Sequence, residues 1–317
     1  MSEYEKLSKK SDFSNIRNQI IGIRNPKRNV LFMRKRKEKE LTAITLGTGN
    51  PVPAINRAGC ATAIIYNKTC LLIDCGRWVT RQLIQAEIPF NQIVGLFITH
   101  NHQDHINGWP TLWMDSIFTR KTTPWKIWGP KGTKEIFNSV KIFNKLDIID
   151  RKAINLNING LKIEVVEIED GFTLNLNDIK ISATTVNHTP HMPCFAYRFD
   201  TSKKSILISG DTTKTQNLID LGKKAPVDIL VHEIVLDDVV RFAVGGGLLL
   251  GDEDTADRII DVHSTIRQVI DIANEIKPKK LVLTHIIPTV ASPKYIEGKI
   301  SEEFDGEVIC ANDLDEF

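Results

Sequence analysis

Residues 99–105 read Thr99-His100-Asn101-His102-Gln103-Asp104-His105. Ahead of His100 the apolar run Ile93–Thr99 has the length of a buried strand, and helical spacing resumes at Gln103 and runs to Phe118. The cluster therefore stands at the carboxyl end of a strand, where the chain turns into a helix and where layered α/β proteins form their sites. Two histidines one residue apart can both face one metal from an extended strand end. The aspartate and the adjacent histidine of the following turn reach a second metal beside it. Four ligand-type residues, His100, His102, Asp104 and His105, fall within six positions, a density that a satisfied core histidine does not explain. Histidine and carboxylate without cysteine suit Zn²⁺, with Mn²⁺ or Fe²⁺ as alternatives.

Working outward, strand and helix signals alternate along the chain. Leu41–Leu46 reads as a strand ending at Gly47-Thr48-Gly49, and Ala61–Tyr66 with Cys70–Ile73 as a hairpin about Asn67-Lys68. Val79–Ala86 has helical spacing. After the cluster come a strand at Trp125–Trp128, a helix at Lys134–Phe143, and strands at Leu161–Ile168, Ile179–Val186, Cys194–Phe199 and Ile206–Ile208. A helix at Asn217–Leu221, a strand at Asp228–His232, a helix at Thr265–Ile276 and a strand at Lys280–Thr284 follow. Hairpins and strand–helix units occur in both halves. That predicts an α/β protein of two β-sheets packed face to face with helices outside, a four-layer αββα sandwich. A faint internal echo agrees: Cys70–Gly76 resembles Ser205–Asp211, and Leu96–His100 resembles Val282–His285. One domain is expected over residues 41–317, preceded by a basic extension over 1–40.

The extension carries 12 Lys and Arg against 5 Asp and Glu, a net +7, while the remainder is −5. Its run Arg34-Lys35-Arg36-Lys37 is a place for an anion such as RNA, or simply a solvated arm. At 317 residues, 42% hydrophobic and 25% charged, the chain is not collagenous, disordered or coiled-coil. No uncharged apolar run reaches the ~18–20 residues that span a bilayer, and Met1–Lys10 has no apolar signal segment. Cys60, Cys70, Cys75, Cys194 and Cys310 are odd in number and form no CxxC pair, which argues against a disulfide framework and for a cytoplasmic protein.

Three later residues stand at predicted strand ends: His188 after Ile179–Val186, Asp211 after Ile206–Gly210, and His285 after Lys280–Thr284. They complete two sites. His100, His102 and His188 hold the first metal, Asp104, His105 and His285 the second, and Asp211 bridges. His191 competes with His188, and spacing alone does not separate the two.

These motifs, THNHQDHINGW with Asp74 in LLIDCG, His188 in NHTPHMPCFAYRF, Asp211 in ISGDT and His285 in LVLTHI, resemble the metallo-β-lactamase superfamily over about residues 41–290. Within it the chain is similar to the ribonuclease Z branch, which also includes metal-dependent arylsulfatases and phosphodiesterases. LGTGNPVPAINRAG, WKIWGPKGTKEIF, VDILVHEIV and His263-Ser264-Thr265 resemble the opening loop, the strand–Gly-Pro–helix segment, the His-Glu motif and the His-Ser-Thr motif of that branch. The resemblance selects His188 over His191, because Pro193 and Ala196-Tyr197 follow His188 at the family's spacing; His191 is left to line the pocket. It implies that Glu233 and His263 handle the leaving-group proton. The plain alternatives are an exposed salt bridge for Glu233 and a cap neighbour for His263, with Ser264 or Asp261 capping the following helix.

The resemblance further implies a dinuclear zinc-dependent hydrolase that uses a metal-bridging hydroxide, with Asp104 orienting it and Asp74 and Thr99 supporting the ligands. Trp109, Trp113 and Met114 are expected in an apolar pocket wall or in the core. The interval Thr189–Gly210 is too short for the tRNA-gripping arm of bacterial ribonuclease Z enzymes, and the opening loop lacks the family's Lys before Arg57. The expected substrate is therefore a small phosphodiester, aryl sulfate or lactone. A ribonuclease Z-like endonuclease gripping RNA through the N-terminal arm is the alternative, and a non-catalytic metal-binding protein of the same fold is a third. A homodimer is the expected assembly. The glycine-rich stretch Arg241–Ile260 is expected as a lid, a pocket wall or a mobile loop.

Overall fold

The computed structural model describes residues 40–119, 121–154, 156, 158–247 and 251–317. The basic extension, but for its last residue, lies outside them.

The first half opens with β1 (Thr42–Gly47), β2 (Ala61–Tyr66) and β3 (Thr69–Ile73), a meander in which β1 and β3 each pair antiparallel to β2. Helix α1 (Val79–Gln85) crosses over to β4 (Ile93–Phe97), parallel to β3. The short α2 (Gln103–Ile106) and α3 (Trp109–Asp115) lead to β5 (Trp125–Gly129). Then α4 (Thr133–Phe143) and α5 (Lys145–Ala153) lead to β6 (Ile163–Glu167). These strands form one six-stranded sheet in sequence order. The second sheet has seven strands. It begins with the antiparallel β7 (Thr173–Leu176), β8 (Ile179–Val186), β9 (Cys194–Asp200) and β10 (Ser205–Ile208). After α6 (Gln216–Lys223) it continues with β11 (Ile229–Val235), parallel to β10. Helices α7 (Asp237–Gly245), α8 (Glu253–Ile260) and α9 (Ile266–Ile276) precede β12 (Lys280–Ile287). Last come α10 (Pro293–Ser301) and β13 (Glu307–Cys310).

Strands buried on both faces read as unbroken apolar runs, because alternate side chains feed different layers. Ile206 and Ile208 of β10 point between the sheets with Ile64, Ile73, Phe97, Tyr197 and Val231, while Leu207 points outward with Leu218 of α6 and Ile272 of α9. On the other side Leu72 and Leu96 face Leu83 of α1, Trp109 and Trp113 of α3 and Phe137 of α4. The result is the expected αββα sandwich, with three apolar layers.

Three expectations change in detail. Trp109 and Trp113 are core residues, 2% and 1% exposed, whose indole N–H groups donate to the carbonyls of Phe137 and Leu161; Met114 packs against the same layer. The stretch 241–260 is no simple loop. Helices α7 and α8 pack together over Val235 and Ile287 around Val240, Val244 and Ala256, so it is a helical unit with its own small core. Thr265 itself caps α9, in a capping box with Gln268. Among the described residues no helix is long and apolar enough to cross a membrane.

Candidate metal centre

The cluster hangs off the carboxyl end of β4 and is fixed from behind by Asp74, which follows β3. Oδ1 of Asp74 accepts the Thr99 N–H at 2.8 Å, and Oδ2 accepts the Thr99 hydroxyl and His105 Nδ1, each at 2.8 Å. The backbone of the turn after Asp74 is locked to the cluster as well: Cys75 N–H donates to the His105 carbonyl at 2.7 Å and Gly108 N–H to the Cys75 carbonyl at 2.9 Å. A side chain at Gly76 would place its Cβ 2.4 Å from the Asp104 carbonyl oxygen, so only glycine permits this approach.

The other ligand candidates arrive from the second sheet. Asp211 follows Gly210, whose φ of 61° turns the chain after β10. His285 is the extra residue of a bulge in β12: Glu233 pairs with Thr284 and Ile234 with Ile286, leaving His285 between them. Its φ of 47° is uncommon for a residue with a Cβ and costs of order 1–3 kcal/mol, which the surrounding sheet must hold.

All seven predicted ligand side chains converge. Asp211 Oδ2 lies 3.3 Å from His105 Nε2, 3.3 Å from His285 Nε2, 3.7 Å from His100 Nε2 and 3.9 Å from His188 Nε2. On one side of it, His102 Nδ1 lies 2.9 Å from His100 Nε2 and 3.1 Å from His188 Nε2. On the other, Asp104 Oδ2 lies 3.2 Å from His285 Nε2 and 3.6 Å from His105 Nε2. The groups His100–His102–His188 and Asp104–His105–His285 each bring three ligand atoms within 4.8 Å of one another, a spacing able to hold an ion. His191 is exposed.

The tautomers decide whether a cation fits. His105 Nδ1 carries the proton it gives Asp74, so its buried Nε2 is a lone pair facing two carboxylates with no hydrogen-bond partner. The single Thr99 hydroxyl proton goes to Asp74, so His100 Nδ1 donates to that oxygen at 3.1 Å and keeps its Nε2 lone pair inward. His188 Nδ1 donates to the Val262 carbonyl at 2.7 Å, with the same consequence. Acceptors thus face acceptors across a buried space, an arrangement that a positive charge satisfies.

The electrostatics divide the cluster. Burial holds His100 well below the ordinary imidazole range and lowers His102 and His188 too, whereas at His105 and His285 the facing carboxylates outweigh burial and raise the rings, so that without a metal a proton there supplies the positive charge. Burial raises the carboxyls, but His285 and His105 outweigh it at Asp211, which lies well below the usual carboxylate range. At Asp104 His105 and His285 do the same and bring it to about 2.

Beside the cluster lies a second pair. His263 stacks on His285, with ring centroids 5.5 Å apart, and tilts against His188 at 4.8 Å. Its Nδ1 is 3.2 Å from Glu233 Oε1, which also accepts the N–H groups of Thr212 (3.1 Å) and Ser264 (3.0 Å). Glu233 is 1% exposed, so the surface salt bridge is excluded. Burial and the nearby Asp211 push its carboxyl well up, and burial pulls His263 down to about 4. Sequence reasoning missed the Val262 carbonyl that orients His188; a main-chain acceptor leaves no trace in residue type. It also missed Thr212, whose N–H pins Glu233.

Fold and centre together are those of the metallo-β-lactamase superfamily, in its ribonuclease Z branch, which is a class of metallohydrolases. A family model described as Anti-Pycsar protein Apyc1 matches residues 41–245, and the chain belongs to that family. It is 30% identical over 277 residues to a Ribonuclease Z of Mycolicibacterium gilvum (strain PYR-GCK), covering 85% of this chain and 93% of that one. In structure it is similar to the metallo-beta-lactamase fold protein YhfI from Bacillus subtilis, with a TM-score of 0.65, 18% identity and coverage of 87% and 98% of the two chains. It is also similar to Zn²⁺-bound PqqB from Methylobacterium extorquens, with a TM-score of 0.64, 13% identity and coverage of 87% and 99%.

Proposed function

We propose that this chain is a dinuclear, zinc-dependent hydrolase of small phosphodiesters, with residues 41–317 as its catalytic domain. The observation that carries the reading is the set of inward lone pairs around Asp211: His100, His102 and His188 would hold one ion, Asp104, His105 and His285 the other, and Asp211 both. When bound, such a pair lowers the pKa of water enough to provide a nucleophile near neutral pH and polarises the phosphoryl oxygen. Asp104 would orient the attacking water as well as hold an ion. Glu233 keeps the proton of His263 on Nδ1 and so aims Nε2 at the substrate. A bound phosphodiester anion favours the protonated form of that ring, which then passes its proton to the departing oxygen.

Two observations support this substrate class. The Ribonuclease Z relative bears a name that implies cleavage of a phosphodiester backbone. The structure joins β9 to β10 by residues 201–204 alone, so nothing between His188 and Asp211 extends out to grip a folded RNA. The second reading, an RNA endonuclease, draws on the 30% identity to that same relative and on the basic residues 1–40. A panel of aryl phosphodiester, aryl sulfate, lactone and precursor tRNA at low and high salt separates them. Turnover of the aryl phosphodiester with little salt dependence is expected. Preferential cleavage of precursor tRNA that weakens steeply with salt would replace the first reading by the second.

A further inference from the structure

Directly beneath the cluster, where the two sheets close on each other, lies a small buried cavity lined by Glu233, Thr284, His285, Asp211, Cys60 and Ile208. It offers about 20 Å³ to a water-sized sphere, above the roughly 10–15 Å³ that one water needs. Three of its lining residues carry buried polar atoms without a protein hydrogen-bond partner: Glu233 Oε2, Thr284 Oγ1 and His285 Nδ1. The residues are 1%, 6% and 1% exposed. Glu233 and Thr284 are register partners on adjacent parallel strands, so their side chains leave the sheet on the same face, and the bulge places His285 next to them. Native proteins rarely leave such atoms unpaired.

We infer that this cavity is a binding site for a single structural water, and that Thr284 is a positioning residue acting on His285 through it. The water accepts from His285 Nδ1–H and shares hydrogen bonds with Glu233 Oε2 and the Thr284 hydroxyl. That makes three partners, within the two to four a buried water takes. The consequence for His285 is a fixed tautomer. With the proton on Nδ1, the lone pair on Nε2 points at Asp104 and Asp211, 3.2 and 3.3 Å away. The same water adds a hydrogen-bonded link between Glu233 and His285 to the ring contacts that His263 makes with His285 and His188. No other proposed ligand needs such a device: His100, His105 and His188 have protein partners on their outer nitrogens, and His102 is half-exposed.

The positioning role rests on the metal-centre reading; the water site does not. The test uses the full chain, metal-free and with zinc, as wild type, Thr284→Val and Thr284→Ser. Crystals of the wild type at a resolution that shows ordered solvent are expected to have density for one water in the cavity in both states. Thr284→Val keeps the shape and removes the hydroxyl. It should lose that density and weaken zinc binding by ~10–100-fold in competition with a chelator, the range for lost support of a ligand. Its melting temperature without zinc should fall, because Glu233 Oε2 and His285 Nδ1 lose their shared partner; rescue by the conservative serine separates this from a general packing defect. Thr284→Ser should restore both density and affinity. A dry cavity in the wild type, or a valine variant with unchanged zinc affinity, overturns the inference while leaving the centre intact. A wild type that holds the water but no zinc overturns the metal reading and the positioning role with it.

Discussion

Asp74 touches no substrate, yet the geometry makes it the residue on which the ligand set turns. Its two oxygens accept three hydrogen bonds in a buried pocket: Thr99 N–H on Oδ1, and the Thr99 hydroxyl and His105 Nδ1–H on Oδ2. Asp74→Asn keeps the shape and replaces one acceptor by an NH₂ donor. If the amide nitrogen takes the Oδ1 position, it confronts the Thr99 N–H, and a buried donor pair is left unmade at about 1–3 kcal/mol. If it takes the Oδ2 position, it confronts His105 Nδ1–H. The imidazole must then move its proton to Nε2, which turns a lone pair aimed at Asp104 and Asp211 into an N–H. The Thr99 hydroxyl loses its acceptor in the same step, and His100 Nδ1 loses a well-ordered partner.

The second outcome removes support from His105 outright and from His100 indirectly, whereas the first loses only the Thr99 N–H bond and disturbs the backbone that carries His100. Loss of such support costs ~10–100-fold in metal affinity, or about 1.4–2.8 kcal/mol. The assay is competition for Zn²⁺ between the protein and a chelator of known affinity, with metal-free melting measured alongside. The expected result is weaker binding by that factor and a lower melting temperature. An Asp74→Asn variant that binds zinc and melts as the wild type does would refute the reasoning, because no rotamer of the asparagine preserves all three hydrogen bonds.

Four further outcomes follow from the same arrangement. Protein purified without chelators should carry close to two metal ions per chain, mainly zinc, and lose its activity when they are stripped; metal analysis finding none would end the dinuclear reading. Asp104→Ala removes a ligand and an orienting oxygen together and should lower turnover by at least ~10²-fold, as a misplaced nucleophile does; near-wild-type turnover would take Asp104 out of the site. His263→Ala should slow esters with poor leaving groups by ~10²–10⁴-fold and barely change nitrophenyl esters, with metal content unaltered; parallel losses across the series would make His263 a binding residue. Glu233 is raised by burial above its ordinary 4.5, so the folded state holds a proton that the unfolded chain gives up. Its contribution to metal-free stability is therefore present below pH 4.5 and lost as pH rises toward the folded value. Glu233→Gln should remove that part of the slope, and identical stability-against-pH curves would show that the carboxyl is not held up.

The legibility of the chain was uneven for physical reasons. Strands such as Ile206–Ile208 stood out because both faces are buried and the run is apolar throughout. The cluster at 99–105 stood out because side-chain type is itself the chemistry. Helix α5 was invisible: it buries none of its residues, so no apolar stripe marks it, and Leu146 and Ile149 stand exposed. Helix α8 was hidden by the glycines before it, although Asp252 caps it through the Thr255 N–H. Strand β13 is short and partly exposed, with the charged Glu307 at its start. Within the centre, the ligands were readable and their supports only in part. Asp74 and Thr99 are polar residues at a strand end, but the bulge that delivers His285 depends on the register of two strands far apart in sequence.

One short segment ties these observations together. Val262 O holds the outer nitrogen of His188, His263 Nδ1 meets Glu233 Oε1, and Ser264 N–H donates to that same oxygen at 3.0 Å. Ser264 also anchors the segment from both ends, its hydroxyl on the Thr212 carbonyl at 2.6 Å and its own carbonyl on Val235 N–H at 2.8 Å. Residues 262–264 therefore set a candidate ligand, a candidate acid and the partner of that acid at once. They lie between α8 and α9, and α9 is capped at the very next residue, Thr265. The α7–α8 unit is thus the scaffold that carries this segment to the centre, packed on Val235 and Ile287 from the strands that also bear Glu233 and His285. Displacing that unit would reach His188, Glu233 and His263 in one step while leaving the Asp104–His105 side fixed by Asp74. The centre is consequently supported from two parts of the fold: the first-sheet turn at Asp74, which holds His105 and, through Thr99, His100, and the second-sheet segment 262–264, which holds His188.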